Sequence, residues 1–208
     1  MYSLGVINFK NGDKFRGSFK DGRPCGYGTM KYNYSLPGSN GSEFEEATYE
    51  GMWKAGKREG QGTITWADQS SFTGVWKNDM RFHGEMRFQN GTTYKGPFVN
   101  DKMEGFGRLL QVNGIIFEGN FSKGFCDSAG KLMYASGDMY FGQHRAFVKE
   151  GFGKIIYLNG SIYEGGWEND RKAKKGRMFD KISGDIYNGE YQDGKRNGRG
   201  RMYYAGIQ

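Results

Sequence analysis

One short pattern recurs along this chain: an aromatic residue, then glycine two positions later, then a second aromatic two positions after that. The first aromatic of each copy stands at Phe15, Tyr49, Phe72, Tyr94, Phe117, Tyr140, Tyr163 and Tyr187. After a first step of 34 residues, the copies follow one another at intervals of 22–24 residues. Such an interval is typical of repeat architectures, whose units bury their apolar faces by stacking on their neighbours. It therefore predicts a repeat array and no central globular core.

The copy that begins at Tyr49 shows how one repeat folds. Tyr49, Gly51 and Trp53 are spaced by two residues, so they share one face of a strand. A loop around Gly56 follows, where glycine can adopt the positive φ of a tight turn. Residues 62–66 then alternate again between apolar and polar. The repeat is therefore predicted to be a β-hairpin with one face of aromatics and glycine and one polar face.

Short turn signals separate consecutive hairpins. Asparagine or serine precedes glycine at 11–12, 90–91, 113–114, 136–137, 159–160 and 183–184. Asn-Gly between alternating strands is the strongest short-range hairpin signal, so each strand is expected to pair with the next. The predicted fold class is all-β: an elongated, single-layer antiparallel β-hairpin repeat array, twisted and grooved, about 80 Å long at about 4.8 Å per strand. Helices are disfavoured because each glycine would cost about 1 kcal/mol in one.

These residues and spacings resemble the MORN (membrane occupation and recognition nexus) repeat family. The family unit runs Tyr-x-Gly-x-Trp/Phe, then Gly, then Gly-x-Gly, with a turn before the next Tyr. The copy at Tyr49 matches this unit throughout, and the copies at 15–28 and 187–200 match as well. The copy at 94–107 matches with Asp101 in place of one glycine. The resemblance covers nearly the whole chain and implies a scaffold or targeting module in cytoskeletal, ciliary or membrane-contact settings.

The repeated frame divides a single array into one partial repeat and eight further repeats. The expected boundaries are 1–14 for the partial repeat, 15–48 for a repeat with a loop insertion at 33–48, and then 49–71, 72–93, 94–116, 117–139, 140–162, 163–186 and 187–208. The insertion is rich in Gly and Ser and is expected to be a mobile loop. Both terminal strands are expected to be exposed, which leaves open a longer array or end-to-end self-association.

Four copies depart from the frame. The copy at Phe72 is one residue short, Ser128 and Lys174 stand in glycine positions, and His144 stands where the second aromatic belongs. Drift in loops between repeats accounts for changes of this kind. A local change of curvature or a partner contact is the alternative explanation.

The composition offers little material for catalysis. The histidines are His83 and His144, and the cysteines, Cys25 and Cys126, lie in different repeats. No His–Cys cluster suggests a metal site, and the glycine-rich segments lack the strand-to-helix context of a phosphate loop. His144 is expected to have a structural role. The chain is therefore predicted to be no enzyme and to use no cofactor or metal.

The aromatic face is the predicted binding surface. A single-layer sheet has no second layer over its apolar side, so the rings are expected to cover one another only partly. Proteins hold helices or extended peptides in such grooves of half-exposed aromatics. The predicted function is a non-catalytic protein-interaction scaffold of the cytoskeleton or cilium. The predicted partner-binding residues are Tyr49, Trp53, Trp66, Phe72, Trp76, Tyr94, Phe98, Phe117, Tyr140, Tyr163, Trp167 and Tyr187.

A basic C-terminal end supports an alternative function. The net charge is +7, and most of it falls within 171–201. A solvated face explains such a charge, and so does a patch for anionic lipid headgroups or an acidic protein segment. The alternative is thus a membrane-targeting module that binds phosphoinositides; no nucleic-acid-binding motif accompanies the charge. The predicted anionic-partner-binding residues are Arg171, Lys172, Lys174, Lys175, Arg177, Lys195, Arg196, Arg199 and Arg201.

A third possibility comes from the family resemblance. MORN arrays are attached to lipid kinases, methyltransferases and exchange factors, so the chain could be the regulatory region of a larger enzyme. No apolar run approaches the ~20 residues of a membrane span, and no signal peptide is recognisable. The expected location is therefore the cytoplasm, at the cytoskeleton or cilium or peripheral to a membrane.

Overall fold

The computed structural model describes residues 2–35 and 44–206. The chain forms two compact units: residues 1–107 with 122–124 make the first, and residues 108–121 with 125–208 make the second. All regular structure within the described ranges is β-strand, which confirms the all-β prediction. Accordingly, nothing in residues 2–35 and 44–206 has the helical length and apolar character of a bilayer-spanning segment.

The first unit is a succession of short antiparallel strands. They are β1 (Tyr2–Asn8), β2 (Lys14–Lys20), β3 (Arg23–Ser35), β4 (Phe44–Lys54), β5 (Lys57–Trp66), β6 (Ser71–Lys77), β7 (Met80–Arg87), β8 (Thr93–Val99) and β9 (Lys102–Met103). From β1 to β9, each of these strands pairs with the next one along the chain.

The second unit repeats the same construction. Strand β10 (Gly105–Leu110) includes residues assigned to each unit. The strands that follow are β11 (Ile116–Ser122), β12 (Phe125–Cys126), β13 (Ala129–Met133), β14 (Met139–Arg145), β15 (Val148–Ile156), β16 (Ile162–Glu168), β17 (Arg171–Phe179), β18 (Ile186–Gln192) and β19 (Lys195–Tyr203). From β13 to β19, each strand pairs antiparallel with its successor, and β11 pairs with β13.

Glycine sets the register of the hairpins. The two strands of a repeat meet at a glycine pair, as at residues 17 and 28, 51 and 62, 142 and 153, and 165 and 176. The Tyr49 ring lies over the pair formed by Gly51 and Gly62. A Cβ on either glycine would run into this ring, and on Gly51 also into the backbone of the partner strand. The glycine spacing is therefore fixed by the space that one aromatic ring needs.

Two kinds of turn connect the strands. Within a repeat, two residues with positive φ make a tight turn, such as Asn78 (φ 51°) and Asp79 (φ 70°), which is the type I′ geometry. Between repeats, Asn11 precedes Gly12 (φ 91°) in a wider loop. This loop is closed by the Phe9 amide, which donates to the Asp13 carbonyl over 2.8 Å. The Asn-Gly signals thus mark the wider loops, while the tight turns also use Asn-Asp.

The insertion between the first two complete repeats is partly strand. Strands β3 and β4 continue beyond the usual repeat length and pair Asn33 with Glu46 and Ser35 with Phe44. The ends of the segment expected to be a loop at 33–48 are therefore an extension of the hairpin. The remainder of that expectation, at 36–43, lies outside the described residues.

The core of each unit is a zigzag of rings on one face of the sheet, here called the ring face. In most repeats the first aromatic packs edge-to-face on the second aromatic of its own repeat and on that of the next. Tyr49 lies 5.2 Å from Trp53 and 5.3 Å from Trp76, between ring centroids. Tyr163 lies 5.2 Å from Trp167 and 5.1 Å from Tyr191. Perpendicular rings at these distances are the favoured geometry of aromatic pairs, so neighbouring repeats share one continuous core.

Candidate functional site

The ring face is closed, which corrects the expectation of half-exposed aromatics. Trp66 is half-buried. The eleven other predicted partner-binding residues are buried: Tyr49, Trp53, Phe72, Trp76, Tyr94, Phe98, Phe117, Tyr140, Tyr163, Trp167 and Tyr187. The physical reason is the zigzag, in which each ring is covered by the ring of the next repeat. A direct role of these residues in partner binding stays a prediction.

Several buried rings have their polar ends satisfied inside the sheet. The Trp76 Nε1–H donates to the Gly62 carbonyl over 3.1 Å, and the Trp167 Nε1–H donates to the Gly153 carbonyl over 3.0 Å. The Tyr94 hydroxyl donates to the Pro97 carbonyl over 3.0 Å. Burial, together with the nearby Glu104 charge, raises the pKa of Tyr94 to about 12. These polar groups are therefore engaged in holding the repeat together.

A basic side chain lies over the rings at several repeat junctions. The Arg58 guanidinium lies 4.2 Å from the centroid of Trp76, which belongs to the next repeat. Its Nε also lies 3.4 Å from the Asp79 carboxylate in the following turn. Arg81 repeats the arrangement, 5.0 Å from the Phe98 ring and 2.9 Å from the carboxylate of Asp101. Cation–π and ion-pair contacts thus cover the ring face at these junctions.

The second unit uses lysine in the same position. Lys149 Nζ lies 5.2 Å from the centroid of Trp167 and 2.9 Å from the Asp170 carboxylate. Lys172 Nζ lies 5.0 Å from the Tyr163 centroid. Burial, with a smaller contribution from Arg196, lowers the pKa of Lys172. These lysines complete the closure of the ring face in the second unit.

The opposite face of the sheet, here called the open face, is formed by the residues that alternate with the rings. In the first unit it includes Thr63, Thr73, Glu85 and Lys95, which oppose one another across β5 to β8. The surface of these strands has an open hollow of about 630 Å³. A partner could reach this face, because no aromatic zigzag lies over it.

A second hollow on the open face has a partly apolar lining. Leu4, Val6, Arg16 and Tyr27 contribute to a depression of about 630 Å³ over β1 to β3. Leu4 is 85% exposed and Tyr27 is 60% exposed. The sequence reasoning missed these residues because it assigned the binding of a helix or extended peptide to the aromatic face and the binding of an anionic partner to the basic C-terminal end. The signal was present, since Tyr27 directly precedes Gly28 and so alternates with the ring positions.

The open face of the second unit carries more charge. Across its strands, one row consists of Glu118, Lys131, Phe141, Lys154, Glu164, Arg177, Asn188 and Arg201. The acidic residue at one end is neutralised, because Lys131 Nζ lies 3.1 Å from the Glu118 carboxylate. Within residues 2–35 and 44–206, Lys154, Arg177 and Arg201 form no ion pair. This row therefore presents cations that are not committed to a partner in the sheet.

Comparison with known sequences identifies the family. A family model described as MORN repeat matches residues 15–33, 49–71, 94–115, 117–139, 163–173 and 187–206, which together make up more than half of the chain. The chain belongs to the MORN repeat family. The resemblance seen in the sequence is thereby confirmed.

The MORN model does not match the segments at 72–93 and 140–162, yet the structure places hairpins there. Strands β6 and β7 pair Gly74 with Gly84, and β14 and β15 pair Gly142 with Gly153. The first of these segments is one residue short, and the second has His144 in an aromatic position. Pairing geometry thus persists where the MORN sequence pattern weakens.

The MORN array is similar to segments of much longer proteins. It is 29% identical over 150 residues to Alsin of Rattus norvegicus, covering 58% of this chain and 9% of the rat protein. It is 33% identical over 112 residues to Alsin of Homo sapiens, covering 51% of this chain and 6% of the human protein. The array thus spans less than a tenth of the length of these curated relatives.

Two solved structures show a distant likeness to the MORN array. One is the TCP domain of SAS-4 (dCPAP) of Drosophila melanogaster in complex with a proline-rich motif of dSTIL, with a TM-score of 0.47 and 14% identity over 72% of this chain and 81% of that chain. The other is the TCP10 domain of Danio rerio CPAP in complex with a STIL peptide, with a TM-score of 0.44 and 10% identity over 95% of this chain and 96% of that chain.

The MORN fold divides the predicted basic patch between two faces, which corrects the expectation of one surface. Lys172 and Arg196 lie over rings, and Arg196 is 4.6 Å from the Tyr187 centroid. Lys174 pairs with Tyr191 at a bulged position with a φ of 58°. The residues on the open face are Arg171, Lys175, Arg177, Lys195, Arg199 and Arg201. Alternation along the strands is the physical reason, because neighbouring residues point to opposite faces.

His144 is a buried structural residue of the MORN core. Its ring packs edge-to-face on Phe117 at 5.1 Å and stacks on Phe147 at 5.6 Å. Neither ring nitrogen has a hydrogen-bond partner among the described residues. Burial lowers the pKa of the imidazole, so His144 is neutral near pH 7. No group of three or more His, Cys, Asp or Glu residues in the described ranges is placed to hold a metal ion.

Proposed function

We propose that this MORN array is a non-catalytic protein-interaction scaffold that holds a helix or extended segment of a partner on its open face. The observation that carries the proposal is the contrast between the two faces. Rings, cations and internal hydrogen bonds close the ring face, whereas the open face has hollows of about 630 Å³ in the first unit. The proposed surface therefore differs from the aromatic groove that the sequence suggested.

The distribution of side chains on the open face supports a binding role. Its polar groups, such as Thr73, Glu85 and Lys95, follow the strand ladder one by one. They do not converge as the unlike groups of a catalytic centre must. Exposed apolar side chains such as Leu4 and Tyr27 lie among them, and such mixed surfaces are typical of protein recognition.

The cellular setting is the part of the proposal that rests on the family. Because MORN proteins include scaffolds of the cytoskeleton and cilium, we propose that this array is a cytoplasmic scaffold at one of these structures. The match to a small part of Alsin favours a second candidate, in which the array is the regulatory MORN region of a longer protein. A membrane-targeting role through anionic phosphoinositides is the third, and it is supported by cations such as Lys175, Arg177 and Arg199 on the open face.

The scaffold proposal is tested by selection of peptides followed by mapping of the contact. A display library of 20-residue segments is selected against the full chain, and enriched segments are synthesised with a photo-crosslinking residue. We expect the crosslinks to fall on open-face residues such as Thr73 and Phe141. Crosslinks confined to Arg58, Arg81 and their neighbours would move the site to the ring face, and a selection without enriched segments would contradict the scaffold proposal.

A further inference from the structure

One row of side chains on the open face of the second unit is apolar at all of its eight positions. Its members are Ile116, Met133, Met139, Ile156, Ile162, Phe179, Ile186 and Tyr203, and each pairs directly with the next across the sheet. This row is here called the apolar ladder. Its members alternate with buried ring-face residues such as Phe117 and Tyr163, so they lie on the open face. Tyr203 is exposed and the other seven members are half-buried.

The MORN repeat itself does not require this apolar ladder. The corresponding row of the first unit is made of Asn8, Lys14, Lys31, Thr48, Thr65, Ser71, Arg87 and Thr93. The same backbone register therefore accepts polar and charged residues throughout. A continuous apolar row at positions that tolerate polar residues indicates a surface that receives something apolar.

Cations flank the apolar ladder. In the adjacent row, Lys154, Arg177 and Arg201 lie on the same face and form no ion pair within the described part of the chain. A hollow of about 190 Å³ lies between the two rows and is lined by Lys154, Ile162, Glu164, Arg177 and Phe179. The surface thus combines an apolar row, a neighbouring row of uncommitted positive charge and a depression between them.

We propose that the apolar ladder of the second unit binds an acidic amphipathic helix of a partner protein. The apolar stripe of the helix would pack on Ile156, Ile162 and Phe179, and its carboxylates would face Lys154 and Arg177. Charge complementarity selects an acidic partner, because the free charges of the flanking row are mainly positive. This inference rests on the scaffold function proposed above, and it names the site and the chemistry of its occupant.

The spacing of the apolar ladder favours a helix over an extended peptide. Neighbouring strands lie about 4.8 Å apart, so the eight side chains follow one another at that interval over about 34 Å. An amphipathic helix presents one apolar side chain about every 5 Å along its contact stripe, at alternating three- and four-residue steps. An extended strand presents same-face side chains only about every 6.7 Å. A helix of about 22 residues therefore matches both the interval and the length.

An anionic membrane is the competing occupant of this surface. Glu164 stands within the cationic row and Glu190 lies opposite Lys175 on the same face. An anionic bilayer would cover both carboxylates, whereas a single helix can set its own carboxylates against Lys154 and Arg177. Most members of the apolar ladder are also half-buried between neighbouring side chains and do not protrude as bilayer-inserting residues do. A grooved protein contact fits these observations better.

The test uses a display library of 22-residue helices with a fixed leucine stripe and randomised flanks, selected against the full chain. We expect enriched helices to carry Glu or Asp on one flank. Binding is then measured by fluorescence anisotropy for the Ile156→Thr/Ile162→Thr double variant and for Arg177→Glu. Each change should weaken binding by at least about tenfold, since threonine keeps the strand propensity and removes only the apolar contact.

Matched controls separate the apolar ladder from general effects. Ile182→Thr changes an isoleucine that is 83% exposed in a turn, and Lys10→Glu reverses an exposed charge in the first unit. Both should leave the affinity within about twofold of the wild type. Circular dichroism confirms that every variant is folded.

The possible outcomes have distinct meanings. Enriched helices whose binding ignores Ile156→Thr/Ile162→Thr and Arg177→Glu would overturn the apolar ladder as the site and leave the scaffold function standing. Enrichment of basic flanks would overturn the acidic partner. If vesicles with 30% phosphatidylserine bind the chain through Ile156 and Ile162 while no helix is enriched, the surface is a membrane contact and the inference is wrong. Absence of any enriched segment, in this selection and in that described above, would contradict the scaffold function itself.

Discussion

Each of the two units has a ring face of the same construction, but the open faces of the two units differ. In both, buried aromatics form an edge-to-face zigzag, as between Phe72 and Trp76 and between Tyr140 and Trp167. On the other side, the first unit carries a polar row through Thr48 and Thr65, while the second carries the apolar ladder at the same register. The ring face is therefore dictated by the fold, and the open face is free to vary. Variation on the free face is where a function specific to this protein is to be sought.

The largest expected effect tests whether the ring faces of the two units are equivalent. Trp76→Ala in the first unit and Trp167→Ala in the second each remove a ring that is buried among others. Each change should lower the free energy of unfolding by about 3–5 kcal/mol, measured by urea denaturation. A loss below about 1 kcal/mol in one unit would show that the ring face of that unit contributes little to the free energy of unfolding.

The next effect concerns His144, which stands in the zigzag where the other repeats have Phe, Trp or Tyr. His144→Phe should raise the free energy of unfolding by about 1–2 kcal/mol, because it removes two buried nitrogens without partners and restores the aromatic found at Phe98 and Phe121. A stability unchanged or lowered by the substitution would mean that the imidazole is satisfied in another way.

The same histidine predicts a dependence on pH. Burial lowers the folded-state pKa below the ordinary value of 6.5, so the unfolded chain binds a proton first as pH falls. The contribution of the neutral His144 imidazole to the free energy of unfolding is therefore fully present above pH 6.5. It is lost as the pH falls from 6.5 to the lowered folded-state pKa. Comparison of urea midpoints at pH 7.5 and 5 should show a steeper loss in the wild type than in His144→Phe. Parallel losses would contradict the buried neutral imidazole.

A smaller effect compares one backbone position in the two units. Lys174 has a φ of 58° at the position where the first unit has Gly60, with a φ of 89°. A side chain with positive φ costs about 1 kcal/mol, so Lys174→Gly should stabilise the chain by up to that amount. The reverse change, Gly60→Lys, should destabilise it by at least as much in the same thermal unfolding assay. A destabilised Lys174→Gly variant would show that the lysine makes contacts that outweigh the strain.

The smallest effect concerns the stability of the open face itself. Ile162→Thr should lower the free energy of unfolding by no more than about 1 kcal/mol, since the side chain is only half-buried. Thr48→Ile, its counterpart in the first unit, should change the free energy of unfolding by less than about 0.5 kcal/mol. If Ile162→Thr unfolded the chain, the apolar ladder would be core and not a docking surface, and the contrast between the units would lose its meaning.

The sequence predicted the fold because the ring face obeys local rules. The alternation of Tyr49, Gly51 and Trp53 predicts a strand, and the glycine at 62 predicts the strand that pairs with it. The closure of the ring face could not be predicted in the same way. It depends on contacts between repeats, such as Arg58 over Trp76, whose geometry is set by twist and register and not by spacing alone.

The candidate site was missed for a different reason. The repeat at Tyr49 has Thr48 and Thr65 on its open face. From this repeat, a polar face was inferred for every repeat of the array. In the second unit, isoleucine or methionine directly precedes the first aromatic at Phe117, Tyr140 and Tyr163. That signal is visible in the sequence, but only a strand register joins it to Met133, Ile156 and Phe179 as one row.

The cations at the repeat junctions have a consequence for dissection of the array. Arg58 belongs to one hairpin, whereas the ring that it covers and the carboxylate that it contacts, Trp76 and Asp79, belong to the next. A truncation between these hairpins would leave the Arg58 guanidinium without the Asp79 carboxylate and without the Trp76 ring that it covers. Shortened versions of this protein should therefore keep each such cation together with the ring and the carboxylate that it contacts, so that the rings of the last hairpin stay covered.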